Sequence, residues 1–182
     1  MCTVRREVNG GVIEVVRGDI AAQPDIDAVV NAANAMLRPG GGVAGALHRA
    51  AGPGLEAECE DLAPIEPGEC VITGAHDLPN TAVLHCLGPV GGVDEPADEL
   101  LARCYQEALV LADERGLTSV AFPAISTGAF GFPVDRAARL ALPTVRDMLP
   151  TMGAVRLVRF VLHGEEDLRV HQEILDLIAP PA

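Results

Sequence analysis

Residues 27–52 read DAVVNAANAMLRPGGGVAGALHRAAG. The opening DAVVN (27–31) is a short apolar run of the kind that forms a buried strand. Three glycines in a row, Gly40 to Gly42, come next, and helical spacing then covers 43–51. A strand leading through a glycine loop into a helix is the first half of a crossover unit, and such units build parallel sheets covered by helices. The loop is costly to order, because glycine gives up the most backbone freedom and buried amides need partners. It has the look of a ligand site, yet no acid, thiol or hydroxyl lies between Asn31 and His48.

The same alternation continues in both directions. Residues 4–8 and 12–17 flank Asn9-Gly10-Gly11, a hairpin signal because Asn-Gly supplies the positive φ angles of tight turns. Helical patterning is expected over 53–62, strands over 70–73 and 82–86, and a long helix over 96–115 stopped by Gly116. Residues 119–122 (SVAF) form another short strand, followed by the loop PAISTGAFGFP. A helix over 134–149, a strand over 155–162 and a final helix over 165–178 complete the chain. The reading is one domain over residues 1–182, a three-layer α/β/α unit with a central mixed, largely parallel sheet. Its ligand belongs at the C-terminal ends of the strands.

Composition narrows the function. A length of 182 residues suits one domain with its own core. The formal charge is −13 and every basic residue is arginine, so no lysine is present for Walker-type phosphate binding or Schiff-base chemistry. Such an acidic balance argues against non-specific nucleic-acid binding. It leaves room for a small anion held by backbone N–H groups. No apolar run approaches a membrane span and no signal-peptide pattern opens the chain, so a soluble, cytoplasmic protein with no membrane partner is expected. Cys2, Cys59, Cys70, Cys86 and Cys104 are scattered, form no C-x-x-C pair, and are read as reduced packing residues. Nothing in the pattern calls for a metal or a cofactor.

Two unusual loops end predicted strands, 31–45 after DAVVN and 126–132 after SVAF, and Gly18-Asp19-Ile20 ends a third. Gly40, Gly41 and Gly42 expose N–H groups at a helix start whose dipole favours an anion. Ser126, Thr127, Gly128 and Ala129 form a second small-residue loop able to wrap phosphate, and two such loops suit a diphosphate. Asp19 can accept from an exocyclic amine, Phe130 offers a ring to a sugar face, and Asn31 and Asn34 offer amides to hydroxyls. Each feature has a plainer counterpart: turn glycines, a capping Asn31 or Asp19, a packed His48, and Phe130 and Phe132 as core plugs. On the residues alone the chain is a phosphate- or nucleotide-binding α/β domain.

GDI (18–20), DAVVNAAN (27–34), GGGVAGALHRAAGPGLEAEC (40–59) and AFPAISTGAFGFP (121–133) together resemble the macrodomain family. They are most similar to its MacroD-type ADP-ribose hydrolases. LPNTAVLHCLGP (78–89), ELLARCYQEAL (99–109) and LVRFVLHGEEDLRVHQEIL (157–175) extend the resemblance over nearly the whole chain. The resemblance implies binding of ADP-ribose and of mono-ADP-ribosylated proteins, by a chain expected to be monomeric. It implies removal of mono-ADP-ribose from acidic side chains, or deacetylation of O-acetyl-ADP-ribose. By motif, Asp19 with the Ile20 backbone would meet adenine, with His163 near it. Gly41, Gly42 and Val43 would face one side of the diphosphate, and Ser126 to Phe130 the other. Asn34 would hold the distal ribose, with Asn31 and Ala44 among the ligand-facing residues. Asn34, Phe130 and Gly128 would form the catalytic group.

One position departs from the pattern. Many MacroD-type enzymes read GGGVDG with a catalytic aspartate where this chain has Ala44, whereas viral macrodomains commonly read GGGVAG and include active hydrolases. Catalysis without that acid would rest on the ligand's own α-phosphate orienting water, with Asn34 positioning the ribose. The competing expectations are a hydrolase, a non-catalytic reader of ADP-ribose marks, and a phosphatase acting on an ADP-ribose phosphate.

Overall fold

The computed structural model describes residues 3–182, and Cys2 lies outside them. Chain order is β1 (Val4–Val8), β2 (Gly11–Arg17), β3 (Ala28–Ala32), α1 (Gly42–Ala51), α2 (Pro53–Glu60), β4 (Cys70–Gly74) and β5 (Ala82–Cys86). Then come α3 (Ala97–Glu114), β6 (Ser119–Phe122), α4 (Val134–Met148), β7 (Leu157–Leu162) and α5 (Glu165–Ile178). One sheet runs β1-β2-β7-β6-β3-β5-β4. The five inner strands are parallel, while β1 and β4 pair antiparallel at the two edges. The antiparallel β1 follows from the opening hairpin. The antiparallel β4 does not follow from any local signal, because it depends on how the chain returns after α2.

Alternation along the inner strands buries both faces, as helices on both sides of a parallel sheet require. Val30, Leu84, Phe122 and Phe160 point toward α3, α4 and α5, where Tyr105, Leu109 and Leu142 complete the larger core. Val29, Val83, Ala121 and Val161 point the other way, onto Leu47 of α1 and Leu55 of α2. Three layers result, with the strand ends left to form a site. No helix is long and apolar enough to cross a membrane among the described residues.

Several local details differ from expectation for physical reasons. In the 9–10 turn only Gly10 takes positive φ (+87°), and a Cβ there would come within 2.7 Å of Pro150. The final strand begins at Leu157 rather than 155, because the Asp113 carboxylate accepts the N–H groups of Gly153, Ala154 and Val155 (2.6–2.9 Å) and removes them from the ladder. Those N–H donors also hold the Asp113 carboxyl below its ordinary pKa. The second helix stops at Glu60, two residues early, in a turn that bonds Leu62 N to Cys59 O.

The cysteine reading needs one correction. Cys70 and Cys86 are disulfide-bonded, joining β4 to β5 at directly paired positions with a Cα separation of 4.3 Å. Strand pairing brings them together across a sequence separation of 16 residues, which spacing alone does not reveal. Cys59 and Cys104 are free and buried, and burial pushes their thiols up to about 11 and about 12, out of the nucleophilic range.

Candidate functional site

A cavity of about 450 Å³ opens at the C-terminal ends of β3, β6 and β7. Its size suits a dinucleotide-sized ligand. One part of its wall is the glycine segment Gly40–Ala44 and another the 123–130 segment, with Asn34 following β3 and His163 and Asp167 following β7.

The glycine wall has the features an anion site needs. Gly41 occupies the N-cap of α1 with no side-chain cap, and no acid stands in the first turn. Gly42, Val43 and Ala44, all lining residues, therefore carry first-turn N–H groups with no capping side chain and no competing carboxylate, at the positive end of the helix dipole. Gly42 has φ +55°, a left-handed conformation that side chains with Cβ rarely adopt. Gly45 is needed for another reason: a Cβ there would sit 2.2 Å from the Gly40 carbonyl oxygen, so the helix and its approach loop touch through bare backbone. Ala44 is buried at 5 % exposure and presents only a methyl group to the cavity.

The second wall is a folded loop with its own internal bonds. Thr127 N and Oγ1 both donate to Ala124 O, Gly131 N donates to Gly128 O (3.0 Å), and Phe132 N donates to Ser126 O (2.9 Å). Ser126 takes φ +67°, a strained setting for a residue with Cβ, and its buried hydroxyl has no partner among the described residues. The N–H groups of Gly128, Ala129 and Phe130 take no backbone acceptor among the described residues, which suits an anion-holding concavity. Gly91 N donates to Phe130 O (2.8 Å), pinning the loop from outside. Phe130 is half-buried in the cavity wall, whereas Phe132 is buried beneath it with Arg136 over its ring at 5.0 Å.

Asn34 is held by the turn that follows it. Its Oδ1 accepts from Arg38 N (3.0 Å) and its Nδ2 donates to Arg38 O (2.8 Å). One lone pair and one N–H remain for a ligand, in a fixed orientation. Asn31, three residues earlier, does something else. It is buried in β3, its Nδ2 lies 3.1 Å from His85 Nδ1, and it is absent from the cavity lining. The end of the strand accounts for the split, since Asn31 is a paired residue of β3 whereas Asn34 lies in the turn beyond it.

His85 links that amide to Thr73, whose Oγ1 lies 2.9 Å from His85 Nε2 and donates to Gly74 O. Burial, and secondarily His48, push the His85 pKa down to about 4, so the ring is neutral at physiological pH. An amide donor at Nδ1 and a hydroxyl at Nε2 fit the tautomer protonated on Nε2. His48 is also buried, both its ring nitrogens are unpartnered among the described residues, and desolvation lowers its pKa. It packs in α1, as its spacing among alanines suggests.

The cavity therefore gathers Asn34, Gly41, Gly42, Val43, Ala44, Ser126, Thr127, Gly128, Ala129, Phe130 and His163. Asp19, Ile20 and Asn31 lie outside its lining. Asp19 is exposed, with Oδ1 accepting from Ala21 N (2.9 Å), and Ile20 is buried beside Val161. Both border the β7 end, because Gly18 N donates to the carbonyl of cavity-lining Leu162 (3.0 Å). Gly88 and Asp167 are lining residues that the sequence reading missed. Gly88 had a signal in the LGP after β5. Asp167 had none, standing among three acids in the first turn of α5.

Known proteins resemble this chain in sequence and fold. The Macro domain family model matches residues 30–141. The O-acetyl-ADP-ribose deacetylase of Cronobacter sakazakii is 48% identical over 172 residues, covering 91% of this chain and 94% of that protein. The mouse ADP-ribose glycohydrolase MACROD2 is 43% identical over 92% of this chain, which spans 36% of that longer protein. Among solved structures, an Oceanobacillus iheyensis macrodomain with ADP superposes with a TM-score of 0.93 at 37% identity, covering 97% of this chain and 96% of that one. A Trypanosoma brucei macrodomain in complex with ADP-ribose superposes at 0.84 and 38% identity, covering 90% and 68%.

Proposed function

The chain belongs to the Macro domain family, and we propose from that premise that it binds ADP-ribose and hydrolyses its esters. The substrates are proteins mono-ADP-ribosylated on acidic side chains, O-acetyl-ADP-ribose, or both. One observation carries the reading: the uncapped N-terminus of α1 and the 126–130 loop, whose Gly128, Ala129 and Phe130 N–H groups take no backbone acceptor among the described residues, line a single cavity. A diphosphate between them would receive backbone donors from both sides, which a net charge of −13 does not prevent.

The rest of the ligand follows from that position. Adenine would lie toward the β7 end, near His163, with Asp19 and the Ile20 backbone reached across the rim. The distal ribose would lie at the β3 end, where Asn34 offers its remaining donor and acceptor. Phe130 would pack against that sugar, and the Gly128 backbone would help position the attacking water. With Ala44 in the wall, the one acid among the described lining residues is Asp167, at the β7 end and away from the position given to the distal ribose. The ligand's α-phosphate would orient the water, and orientation would supply most of the rate. Loss of one positioned acid–base group costs on the order of 10²–10⁴ in rate, so slow turnover is expected.

Ala44 also supports a second reading, a non-catalytic reader that keeps both anion walls and lacks the acid. Incubation with a protein mono-ADP-ribosylated on glutamate separates the two. ADP-ribose release that disappears in Asn34→Ala is the expected result. Tight ADP-ribose binding with no release over long incubation would leave the reader.

A further inference from the structure

Most of the arginines lie against carboxylates, Arg6 on Asp176 and Arg159 on Glu14 and Asp25 among them. Arg17 and Arg156 bond backbone carbonyls instead. Arg38, Arg49 and Arg115 have neither an ion pair nor a side-chain hydrogen bond among the described residues, and all three are exposed. Arg115 follows α3 and precedes β6, so it sits at the end of the sheet opposite the cavity. Arg38 and Arg49 lie outside the cavity lining but next to its Asn34 end, Arg38 through its backbone and Arg49 through Gly45.

Their placement follows from close backbone contacts. The Arg38 backbone is clasped by the Asn34 side chain. Asn34 Nδ2 is 3.6 Å from where a Gly40 Cβ would stand, Gly40 O is 2.2 Å from the Gly45 Cβ position, and Arg49 Nη1 is 3.0 Å from that same position. Arg49 thus lies over the outer side of the contact whose inner side lines the cavity. Beyond it a shallow groove of about 300 Å³ continues the surface, lined by Pro39, His48, Arg49, Gly52, Pro53 and Glu56. Glu56 is the one acid in that lining.

We propose that Arg38 and Arg49 form a docking rim for acidic residues flanking the modified side chain of an ADP-ribosylated protein. The inference rests on the functional reading above, which puts the distal ribose, and therefore the attached protein, at the Asn34 end. Charge complementarity carries it. A protein of net charge −13 repels an acidic chain approaching almost anywhere. Two exposed arginines with no ion pair among the described residues, close in the fold to the Asn34 end by which that chain would leave, supply a local attraction, and Glu56, which shares the groove with Arg49, weakens it on that side. The rim discriminates between acceptors without touching ADP-ribose.

The test is binding, so it holds for a hydrolase and for a reader alike. Peptides carry ADP-ribose on one residue through an amide that resists hydrolysis, flanked by glutamates or by glutamines. Affinities are measured by calorimetry at low and high salt, with free ADP-ribose as the reference ligand. The unaltered protein is expected to favour the glutamate-flanked peptide by roughly five- to tenfold at low salt, as one or two exposed charge pairs allow. In the Arg38→Gln/Arg49→Gln double variant the ratio should fall to about one, and in the unaltered protein high salt should do the same. Comparing two peptides on the same protein cancels any effect of the substitutions on Asn34. Equal affinities in the unaltered protein, or a ratio that survives in the double variant, would overturn the docking rim alone. Failure of free ADP-ribose to bind the unaltered protein would overturn the functional reading and the rim with it.

Discussion

Gly45→Ala isolates the geometry on which the proposed anion site depends. The added Cβ would lie 2.2 Å from Gly40 O, whereas ordinary contact begins at 3.4 Å, so loop and helix must separate. The required movement is roughly 1 Å, a displacement large enough to cost about 10²-fold at a positioned site. Helix propensity works in the opposite direction, because alanine gains about 1 kcal/mol over glycine inside a helix. Overpacking costs about 1–3 kcal/mol, so net stability should fall by about 2 kcal/mol at most. Binding should therefore suffer more than folding. Calorimetry with ADP-ribose should report a loss of roughly ten- to a hundredfold, at the scale set by that displacement. Urea unfolding of the same variant should shift its midpoint only modestly. Gly153→Ala, whose Cβ would meet only Asp113 Oδ2 at 3.6 Å, is the remote control. Wild-type ADP-ribose affinity in Gly45→Ala would refute the claim that the Gly40–Gly45 contact shapes the diphosphate wall.

Two further outcomes are expected. Ala44→Asp places a carboxylate in the cavity wall one helical turn before the unpartnered His48, and should raise turnover on a mono-ADP-ribosylated protein by on the order of 10²; no gain in a single-turnover release assay would mean that water positioning here depends on the ligand alone. Acidification should weaken the fold through His85, whose folded pKa of about 4 lies below the ordinary 6.5. Because the unfolded chain takes up the proton first, stability is complete above about pH 6.5 and is lost as pH falls toward 4, by about 3 kcal/mol. Urea midpoints measured across that interval should fall less steeply in His85→Gln, and parallel slopes would count against a buried neutral ring.

The sequence by itself determined the layered α/β architecture, because strand and helix periodicities and their alternation are local properties of the chain. It also marked both loops proposed to hold the diphosphate, since a glycine run before a helix and a small-residue loop after a strand carry their donors in their own backbone. Tertiary structure decided whatever depends on partners distant in the chain. Asn31 and Asn34 look equivalent in NAAN, yet pairing of β3 with β5 gives the first to His85 while the turn leaves the second in the cavity. Cys70 and Cys86 meet only because β4 returns antiparallel along β5. Asp167 reaches the cavity because α5 begins where β7 ends, beside strands that come from the other half of the chain. Which arginines remain without a carboxylate is decided the same way, since spacing in the sequence says nothing about which acids the fold brings within reach. Local chemistry is written residue by residue, and its partners are set by the pairing of strands far apart in sequence.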